Sequence, residues 1–395
     1  MKNTRVLISG AGIAGPALAY WLDRYGFQTT VVERAPGIRP GGQAVDVRGP
    51  ALEVAGRMGI LAEVRSKNTE MRGMSVVDGA GNELYRSEER TVSGGDLDSP
   101  DVEILRDDLA EIIAAAGGAG TEYLFGDSIA ALEQDDEVRV TFESGLRRTF
   151  DLVVGADGLH SLTRRLAFGP TEAFIRPLGT CMAVCTVPNF LDLDHWQVMH
   201  QMPGNALSGV MVMSVRDNAE ARAYFMFDPA EPVTLDHRDV SAQQELVARE
   251  LAGDSWHVPR LLEWMRSAPD FHFDAAAQIH LDSWSRGRVV LLGDAGYCGS
   301  PLSGQGTTMA MVGGYVLAGE LKAAGGDHTA AFAAYEKELR DYVRANQEVA
   351  ITNMRQRRAQ VAQETAGEAE AADALAETGV EEFAQVVASY TVKDY

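Results

Sequence analysis

The chain has 395 residues, of which 46% are hydrophobic and 23% charged, and its formal net charge is −22. This length and composition are typical of a globular protein with a large core and about two structural regions. A surface of this sign repels phosphate backbones, so we expect no nucleic-acid partner. Long apolar runs and a leader pattern are both missing from the sequence, so we expect neither a membrane span nor a signal peptide.

The cysteine usage favours a reducing, cytoplasmic location. Three cysteines, Cys181, Cys185 and Cys298, are an odd and sparse set for a disulfide framework. Cys181 and Cys185 lie in an apolar run and are expected to be small buried hydrophobes. Further Cys or His residues at metal-ligand spacing are missing, so we expect no metal.

The first 33 residues predict a strand, a glycine-rich turn, a helix and a second strand. Residues 5–8 are apolar, apolar side chains then recur at helical spacing up to Gly26, and residues 29–32 form a second apolar run. Such a unit implies a parallel sheet. The turn has the pattern of a dinucleotide fingerprint. Gly10 permits a tight turn, Gly12 lets the backbone approach a pyrophosphate and Gly15 allows close packing of helix on strand. The cofactor contacts predicted here are Gly10, Gly12, Ile13, Ala14 and Gly15.

The next predicted contact is Glu33, at the end of the second strand. Its carboxylate would accept hydrogen bonds from an adenosine ribose and would repel a ribose 2′-phosphate, so this site favours FAD or NAD over NADP. The fingerprint alone does not choose between FAD and NAD. Arg34 is included in the predicted site.

Later segments alternate between helical and strand-like patterns without an internal repeat or a long linker. Two buried strands each end in a glycine-rich loop. A Val-, Met-, Phe- and Tyr-rich region suggests an antiparallel sheet, and apolar spacings of three and four predict a long helix after residue 330. The predicted segments are a helix at 104–116, strands at 151–154 and 288–292, the antiparallel region at 178–228 and a helical tail at 366–395.

Three motifs in order resemble the class A flavin-dependent aromatic hydroxylases, the p-hydroxybenzoate hydroxylase-like family. They are GxGxxG at 10–15, DGxxSxxR at 157–164, and a GD…PxxGQG segment at 293–306. The likeness covers nearly the whole chain. Within the family, the segments at 41–49 and 105–109 more loosely resemble the tetracycline-inactivating monooxygenases.

The resemblance implies an α/β fold. We expect a Rossmann-type FAD-binding domain, an interleaved substrate domain built on an antiparallel sheet, and a long C-terminal helix. The predicted ranges are 1–70, 100–167 and 281–330 for the FAD-binding domain, 71–99 and 168–280 for the substrate domain, and 331–395 for a helical segment.

The resemblance also implies an activity. NADPH or NADH would reduce noncovalently bound FAD, and molecular oxygen would add to form a C4a-hydroperoxide that hydroxylates an aromatic small molecule. The flavin peroxide does this chemistry, so no catalytic side chain is predicted. A flavin dehydrogenase or oxidase, and a non-catalytic flavoprotein that sequesters a hydrophobic compound, remain alternatives. A flavin-dependent halogenase is disfavoured because its Trp-x-Trp-x-Ile-Pro segment is missing.

Further FAD contacts are predicted from the later motifs, each with a structural alternative. Asp294 follows a strand end and would hold a ribityl hydroxyl, or would cap a helix. Asp157 would lie near the pyrophosphate or the ribityl chain, or would be a turn residue. Arg106 would contact FAD, or would be a solvated surface arginine. The remaining predicted contacts are Arg39 and Gln43 near the flavin ring, and Pro301, Gly304, Gln305 and Gly306 before a helix that faces the pyrimidine edge.

The sequence departs from the family pattern at Tyr297, Thr308 and Gly313-Gly314. These changes put the details of flavin positioning in doubt. The methionines of the presumed substrate sheet are expected in the core more often than in a cavity. The presumed substrate sheet is rich in Met, Phe, Val and Tyr, and within 178–228 only Arg216 and Arg222 could anchor an anionic substrate. Together with the looser resemblance to enzymes that oxidise fused rings, this leads us to expect a bulky, largely apolar aromatic or polycyclic substrate.

Overall fold

Two sheets of different character organise the chain. The computed structural model describes residues 2–118, 120–202, 208–231, 233, 235–366 and 384–395, with 357–366 as backbone only. The strands of this described part are β1 (Arg5–Ser9), β2 (Gln28–Glu33), β3 (Ala44–Val47), β4 (Gly73–Val77), β5 (Glu83–Ser87), β6 (Arg90–Thr91), β7 (Gly95–Asp96), β8 (Val102–Leu105), β9 (Thr121–Phe125), β10 (Ile129–Gln134), β11 (Val138–Phe142), β12 (Arg147–Phe150), β13 (Leu152–Gly155), β14 (Ile175–Val187), β15 (Trp196–Gln201), β16 (Gly209–Val215), β17 (Glu220–Phe227), β18 (His272–Ile279), β19 (Ser285–Arg286) and β20 (Val289–Leu291). Its helices are α1 (Ala14–Arg24), α2 (Pro50–Met58), α3 (Leu61–Ser66), α4 (Arg106–Ala116), α5 (Leu162–Ala167), α6 (Val240–Glu250), α7 (Val258–Ser267), α8 (Asp294–Tyr297), α9 (Gly306–Ala323) and α10 (His328–Ala366).

The first sheet has six strands in the order β19-β20-β13-β1-β2-β9. All its pairs are parallel except β19 with β20. Strand β1 lies inside the sheet and is buried on both faces, as parallel strands usually are. Val6 and Ile8 pack in the cluster that includes α1 and α9, whereas Leu7 packs against the small sheet β10-β11-β12. The predicted parallel Rossmann-type sheet is therefore confirmed.

The second sheet has seven strands in the order β18-β14-β17-β16-β15-β4-β5. It is antiparallel except where β15 pairs with β4. Helices α6 and α7 cover one face, and the other carries Met211, Tyr224 and Met213. Strands β4 and β5 precede the second flavin motif, so this sheet is interleaved with the first, as expected. The exact domain boundaries remain a prediction.

Two predicted helical boundaries are corrected. The helix expected from 104 begins at Arg106, because Val102–Leu105 is a strand that pairs with β3. Asp107 and Asp108 then occupy the first turn of α4, where carboxylates are stabilised by the helix dipole. The tail is not helical throughout, since residues 384–387 are helical but 390–395 are not, and 367–383 lie outside the described residues.

The end of the tail has contacts that explain this conformation. Lys393 Nζ and the Tyr395 hydroxyl both bind Glu320 of α9, at 2.6 and 2.7 Å. A helix would not bring two side chains only two residues apart to one carboxylate. The long helix α10 itself is confirmed, with Phe332, Tyr335 and Leu339 buried on its inner face.

All three cysteines are free and buried, in agreement with the sequence. Among the described residues, no helix is long and apolar enough to cross a membrane.

Candidate cofactor and substrate site

A cavity of about 1390 Å³ is lined by residues of both sheets. Typical ligand pockets enclose roughly 300–1,000 Å³, so this volume suits more than one ligand. Of the sixteen predicted cofactor contacts, Gly15 and Gln305 do not line the cavity. The fourteen that do are Gly10, Gly12, Ile13, Ala14, Glu33, Arg34, Arg39, Gln43, Arg106, Asp157, Asp294, Pro301, Gly304 and Gly306.

The three glycines of the first motif have separate roles. A β-carbon on Gly10 would overlap the carbonyl of Ala156, and one on Gly15 would overlap the carbonyl of Gly10. These two glycines are needed by the protein's own packing. A β-carbon on Gly12 would meet only Arg106 Nη2, at 3.6 Å. The space beside Gly12 is therefore open towards the cavity, as a site for a pyrophosphate requires.

Two long helices begin at the cavity without a side-chain cap. The first turns of α1 and α9 contain no acidic residue, and no side chain accepts from their first amides. By contrast, Ser161 caps α5 and Asp239 caps α6. Uncapped amides and the positive end of the dipole favour an anionic or carbonyl-bearing ligand. The α1 end suits a diphosphate, and the α9 end suits a flavin pyrimidine edge.

Glu33 fixes the glycine-rich turn to the end of β2. Its two carboxylate oxygens accept from the backbone amides of Ala11 and Ala35, each at 2.8 Å. A carboxylate oxygen has more than one lone pair, so ribose hydroxyls can still donate to it. Glu33 thus holds the glycine-rich turn in place, and it also lines the cavity where a ribose could bind.

Arg39 and Arg106 supply positive charge at the same end of the cavity. Arg106 Nη1 donates to the Arg39 carbonyl at 3.0 Å, and Arg39 Nη1 lies 3.4 Å from His272 Nδ1. Burial, and then the neighbouring Arg39, lower the pKa of Arg106 to about 10, and burial lowers the pKa of Arg39. Neither forms an ion pair with a carboxylate in the described part of the chain. A bound diphosphate would supply the missing negative charge.

Hydrogen bonds to backbone atoms fix the loop that carries Gln43 to α4 and to the second sheet. Gly41 N donates to Asp107 Oδ2 and Ala44 N to the Tyr224 hydroxyl, both at 2.8 Å, and Arg106 N donates to the Gln43 carbonyl at 3.1 Å. The side-chain oxygen Oε1 of Gln43 is buried and has no hydrogen-bond partner among the described residues. Because buried polar groups are normally satisfied, this amide fits a flavin contact.

The side chain of Asp294 faces the cavity, and protein surrounds it on its other sides. Gly293, at φ +63°, turns the chain after β20 so that Asp294 begins the four-residue helix α8. Burial raises the pKa of Asp294, with a smaller contribution from Asp274. No backbone amide of the described residues donates to its carboxylate, so the helix-cap alternative is not supported. The Cys298 thiol is close enough to donate a hydrogen bond to this carboxylate and opposes the rise in its pKa, and a ribityl hydroxyl would add a second donor.

The carboxylate of Asp157 accepts hydrogen bonds from neighbouring residues of the protein. Its carboxylate accepts from the Ser161 hydroxyl and from both the amide and the hydroxyl of Thr163, the latter two at 2.9 Å. Arg164, fully buried, donates to the carbonyls of Ala295 and Leu159 at 2.8 and 2.6 Å. The second motif therefore joins α5 to α8. The contacts of Asp157 reach beyond a local turn, and its predicted contact with FAD stays a prediction.

Gln305 and the departures from the family pattern lie in the protein interior. Gln305 is fully buried, and its amide atoms have no partner among the described residues. Tyr297, Thr308 and the Gly313-Gly314 pair are also buried and do not line the cavity. These departures change the packing behind the site rather than its wall.

The seven-stranded sheet forms an apolar end of the cavity. Its lining side chains there are Met182, Met211, Tyr224 and Met226. Met213 is fully buried away from the cavity, so the expectation that these methionines fill the core holds for only part of the set. Neither candidate anion anchor reaches this end, because Arg222 binds Gly42 O and Glu220 while Arg216 binds Asp107, Asp108 and Glu220.

Sequence reasoning missed a histidine cluster on the cavity wall. His160 and His237 stack with ring centroids 4.5 Å apart, and Asp274 lies 3.3 Å from His160 and 3.7 Å from His272. Burial, and then Arg39, lower the pKa of His272 to about 4. These residues come from three separate segments. Only His160, inside the second motif, could have been noticed from the sequence.

Comparison with known proteins agrees with this geometry. The family model described as an FAD binding domain matches residues 3–350. An uncharacterised protein of Mycobacterium tuberculosis is 52% identical over 391 residues, covering 99% of both chains. A flavin-dependent monooxygenase from an unknown prokaryotic organism is 42% identical over 349 residues, covering 88% of this chain and 89% of the relative. The crystal structure of the tetracycline destructase Tet(51) superposes with a TM-score of 0.88 at 34% identity, covering 100% of both chains.

Proposed function

We propose that this chain, which belongs to the FAD-binding family of flavin-dependent monooxygenases, hydroxylates a bulky, largely apolar aromatic or polycyclic small molecule with NADPH or NADH as reductant. One observation carries this proposal. A single cavity joins the glycine-rich turn of a dinucleotide site to an apolar wall of methionine and aromatic side chains. Cofactor and substrate would therefore share one enclosure.

The cofactor chemistry would come from FAD. When bound and reduced, FAD would supply the oxygen-transfer chemistry that the family resemblance implies. The chain's own residues do the binding and positioning. Arg106, Gly12 and the α1 terminus would hold the diphosphate, Asp294 a ribityl hydroxyl, and the α9 terminus the pyrimidine edge.

The apolar end supports a large substrate without an anionic group. Flexible thioethers such as Met211 and Met226 adapt to irregular ligands, and Tyr224 offers aromatic contact. A small phenolic acid would need a cationic partner for its carboxylate, and neither Arg216 nor Arg222 is free to provide one here. Closely packed apolar walls would also exclude water from the reacting flavin.

The test compares fused-ring phenols with small phenolic acids on the FAD-loaded protein. We expect fused-ring compounds to stimulate NADPH or NADH oxidation and to gain one oxygen atom from isotopically labelled oxygen, measured by mass spectrometry. Efficient, coupled turnover of small acids with no binding of fused-ring compounds would refute the substrate class. Nucleotide oxidation that yields only hydrogen peroxide with every compound would favour an oxidase instead.

A matched pair of variants places the substrate. Met211→Arg puts a cation into the apolar end and should weaken binding of fused-ring compounds at least tenfold. Met265→Leu changes a fully buried methionine of α7 that does not line the cavity. The second variant should leave substrate binding unchanged, as read from the perturbation of the flavin absorbance spectrum.

A further inference from the structure

The thiol of Cys298 lies at a junction of three segments beside the cavity. Cys298 follows α8, is buried, and lines the cavity together with Asp294. Its sulfur Sγ lies 3.5 Å from the carbonyl oxygen of Ala277 in β18, and the Ser300 amide donates to it at 3.4 Å. The thiol therefore connects the end of α8 to the second sheet and to the loop before α9.

The same thiol lies against the carboxylate of Asp294. The two residues are four positions apart, at the start of α8 and just after its end, a spacing that places side chains on one face of a helix. The thiol is close enough to donate a hydrogen bond to the carboxylate. Among the described residues, it is the one protein donor to that carboxylate. Asp294 is also exposed to the cavity, where a ligand could bind it.

The surroundings of the sulfur keep its proton in place. Burial, and then the charge of Asp294, raise the pKa of Cys298 well above its usual value, so the thiol stays a donor. The other charged groups facing this pair are Asp274 of β18, which acts on both members, and Arg164 of α5, which acts on Cys298. The one thiol proton has two acceptors, and an ionised carboxylate is a stronger acceptor than the Ala277 carbonyl. We therefore expect the thiol to donate to Asp294.

A hydrogen bond from the thiol has two effects on the carboxylate. It restricts rotation of the Asp294 side chain and leaves lone pairs free for a second donor. It also favours the ionised form, because burial raises the pKa of Asp294 and the thiol opposes this rise. Both effects prepare Asp294 to accept a hydrogen bond from a hydroxyl group in the cavity.

We propose that Cys298 is a positioning residue for the cofactor, whose thiol holds the Asp294 carboxylate ready to accept a hydrogen bond from a ribityl hydroxyl of FAD. This inference rests on the proposed function, which assigns Asp294 to that hydroxyl. Cys298 acts through Asp294 and not by contact with the flavin. A cysteine that only filled space would not influence the charge of this carboxylate, and that difference is measurable.

The experiment starts from the FAD-loaded protein and measures the FAD dissociation constant by dilution, from the recovery of flavin fluorescence, over a series of pH values. Cys298→Ala should weaken FAD binding about three- to tenfold at neutral pH, the loss expected for one hydrogen bond. FAD affinity should fall as the pH falls through the pKa of Asp294, because protonation weakens the acceptor. Without the thiol this pKa is higher, so the fall should come at a higher pH than in the wild type.

Two further variants separate the hydrogen bond from packing. Cys298→Ser keeps a donor and should restore both the FAD affinity and the pH profile of the wild type. Cys185→Ala removes a buried cysteine of β14 that does not line the cavity, and it should leave FAD affinity unchanged at every pH. If the alanine and serine variants at position 298 share one affinity and one pH profile, the inference is wrong.

A double variant tests whether Cys298 acts through Asp294. In the Asp294→Ala protein, Cys298→Ala should have no further effect on FAD affinity. An additional loss equal to that in the wild type would overturn the inference, since the thiol would then act by another route. Wild-type FAD affinity in Asp294→Ala alone would overturn it as well. If the affinities follow these expectations but the reduced enzyme transfers no oxygen to any compound, the inference stands and the proposed function fails.

Discussion

The hydroxyl of Tyr297 occupies the space that a β-carbon on Gly313 would fill. Tyr297 is buried at the end of α8, its hydroxyl is 2.9 Å from that of Tyr335, and Gly313 faces it from the middle of α9. The two family departures are thus one compensating pair, in which a larger residue at one position requires glycine at the other. Neither residue lines the cavity.

Because the Tyr297 hydroxyl fills this space, we expect Tyr297→Phe to offset most of the stability loss caused by Gly313→Ala. Gly313→Ala should lower the free energy of unfolding by about 1–3 kcal/mol, because the added methyl group meets the phenol oxygen. Tyr297→Phe alone should cost about 1 kcal/mol for the lost hydrogen bond. In the double variant the alanine should cost much less than in the wild type, as measured by urea denaturation. Simple additivity of the two losses would contradict the pairing.

Gly12→Val should abolish FAD binding while the protein stays folded. The new side chain points into the open space beside Arg106 where the diphosphate would lie. Gly37→Val is the matched control, since nothing lies within 4 Å of a β-carbon there and Gly37 does not line the cavity. The readout is flavin content after reconstitution, together with circular dichroism. Equal flavin retention by both variants would remove the turn from the FAD site.

Asp294→Ala and Asp157→Ala should fail in different ways. Loss of the Asp294 carboxylate should weaken FAD binding by about 1.5–3 kcal/mol, the value of a hydrogen bond to a charged group. Loss of Asp157 should instead destabilise the apoprotein by about 1–3 kcal/mol, because Ser161 and Thr163 lose their acceptor. Fluorescence titration with FAD and thermal melting of the apoprotein separate the two effects. A reversed pattern would exchange the two assignments.

The raised pKa of Asp46 leads us to expect that the free energy of unfolding depends on pH. Burial is the main cause that raises its pKa from 3.8 to about 7, against the opposing effect of Arg48, with Glu103 and Asp101 also facing it. Between pH 4 and 7 the folded state then holds a proton that the unfolded state has lost. The Asp46 contribution to the free energy of unfolding should therefore fall as pH rises through this window.

Asp46→Asn removes that contribution, so the wild type should lose stability relative to the variant between pH 4 and 7. The relative loss should exceed about 1.4 kcal/mol, the value of one pKa unit. Urea denaturation at matched pH values measures it. Parallel stability curves for the two proteins would show that Asp46 titrates normally.

Local sequence patterns were enough to select the candidate cofactor contacts that follow the ends of strands. Gly10, Gly12, Glu33 and Asp294 follow the carboxyl ends of strands β1, β2 and β20 of one parallel sheet, where ligands of such sheets bind. The three motifs in order identified the family, which the family model and the relatives confirm. The start of α4 was misplaced because Ile104 and Leu105 fit both a strand and a helix in isolation. Pairing with β3, which no local pattern contains, decided the conformation.

Contacts between distant segments could not be predicted in the same way. His160 and His237 are 77 positions apart, and no periodicity relates them. The buried side chain of Gln305 and the brace formed by Asp157 and Arg164 also depend on how α5, α8 and α9 pack. Sequence patterns describe single elements, whereas these roles arise only when several elements meet.

A ribosome making this chain releases β1 long before β13, one of its two partner strands. Strand β2 follows at once, but β13 begins at residue 152 and β20 at residue 289, and both belong to the sheet that positions the cofactor. At roughly 5–20 residues per second, tens of seconds of synthesis separate the first strand from the last. The edge of β1 that pairs with β13 stays open to wrong partners until β13 has been made, and the edge of β13 stays open until β20 has been made. Nascent chains should therefore depend on chaperones until the segment containing α9 emerges, and flavin loading should be post-translational.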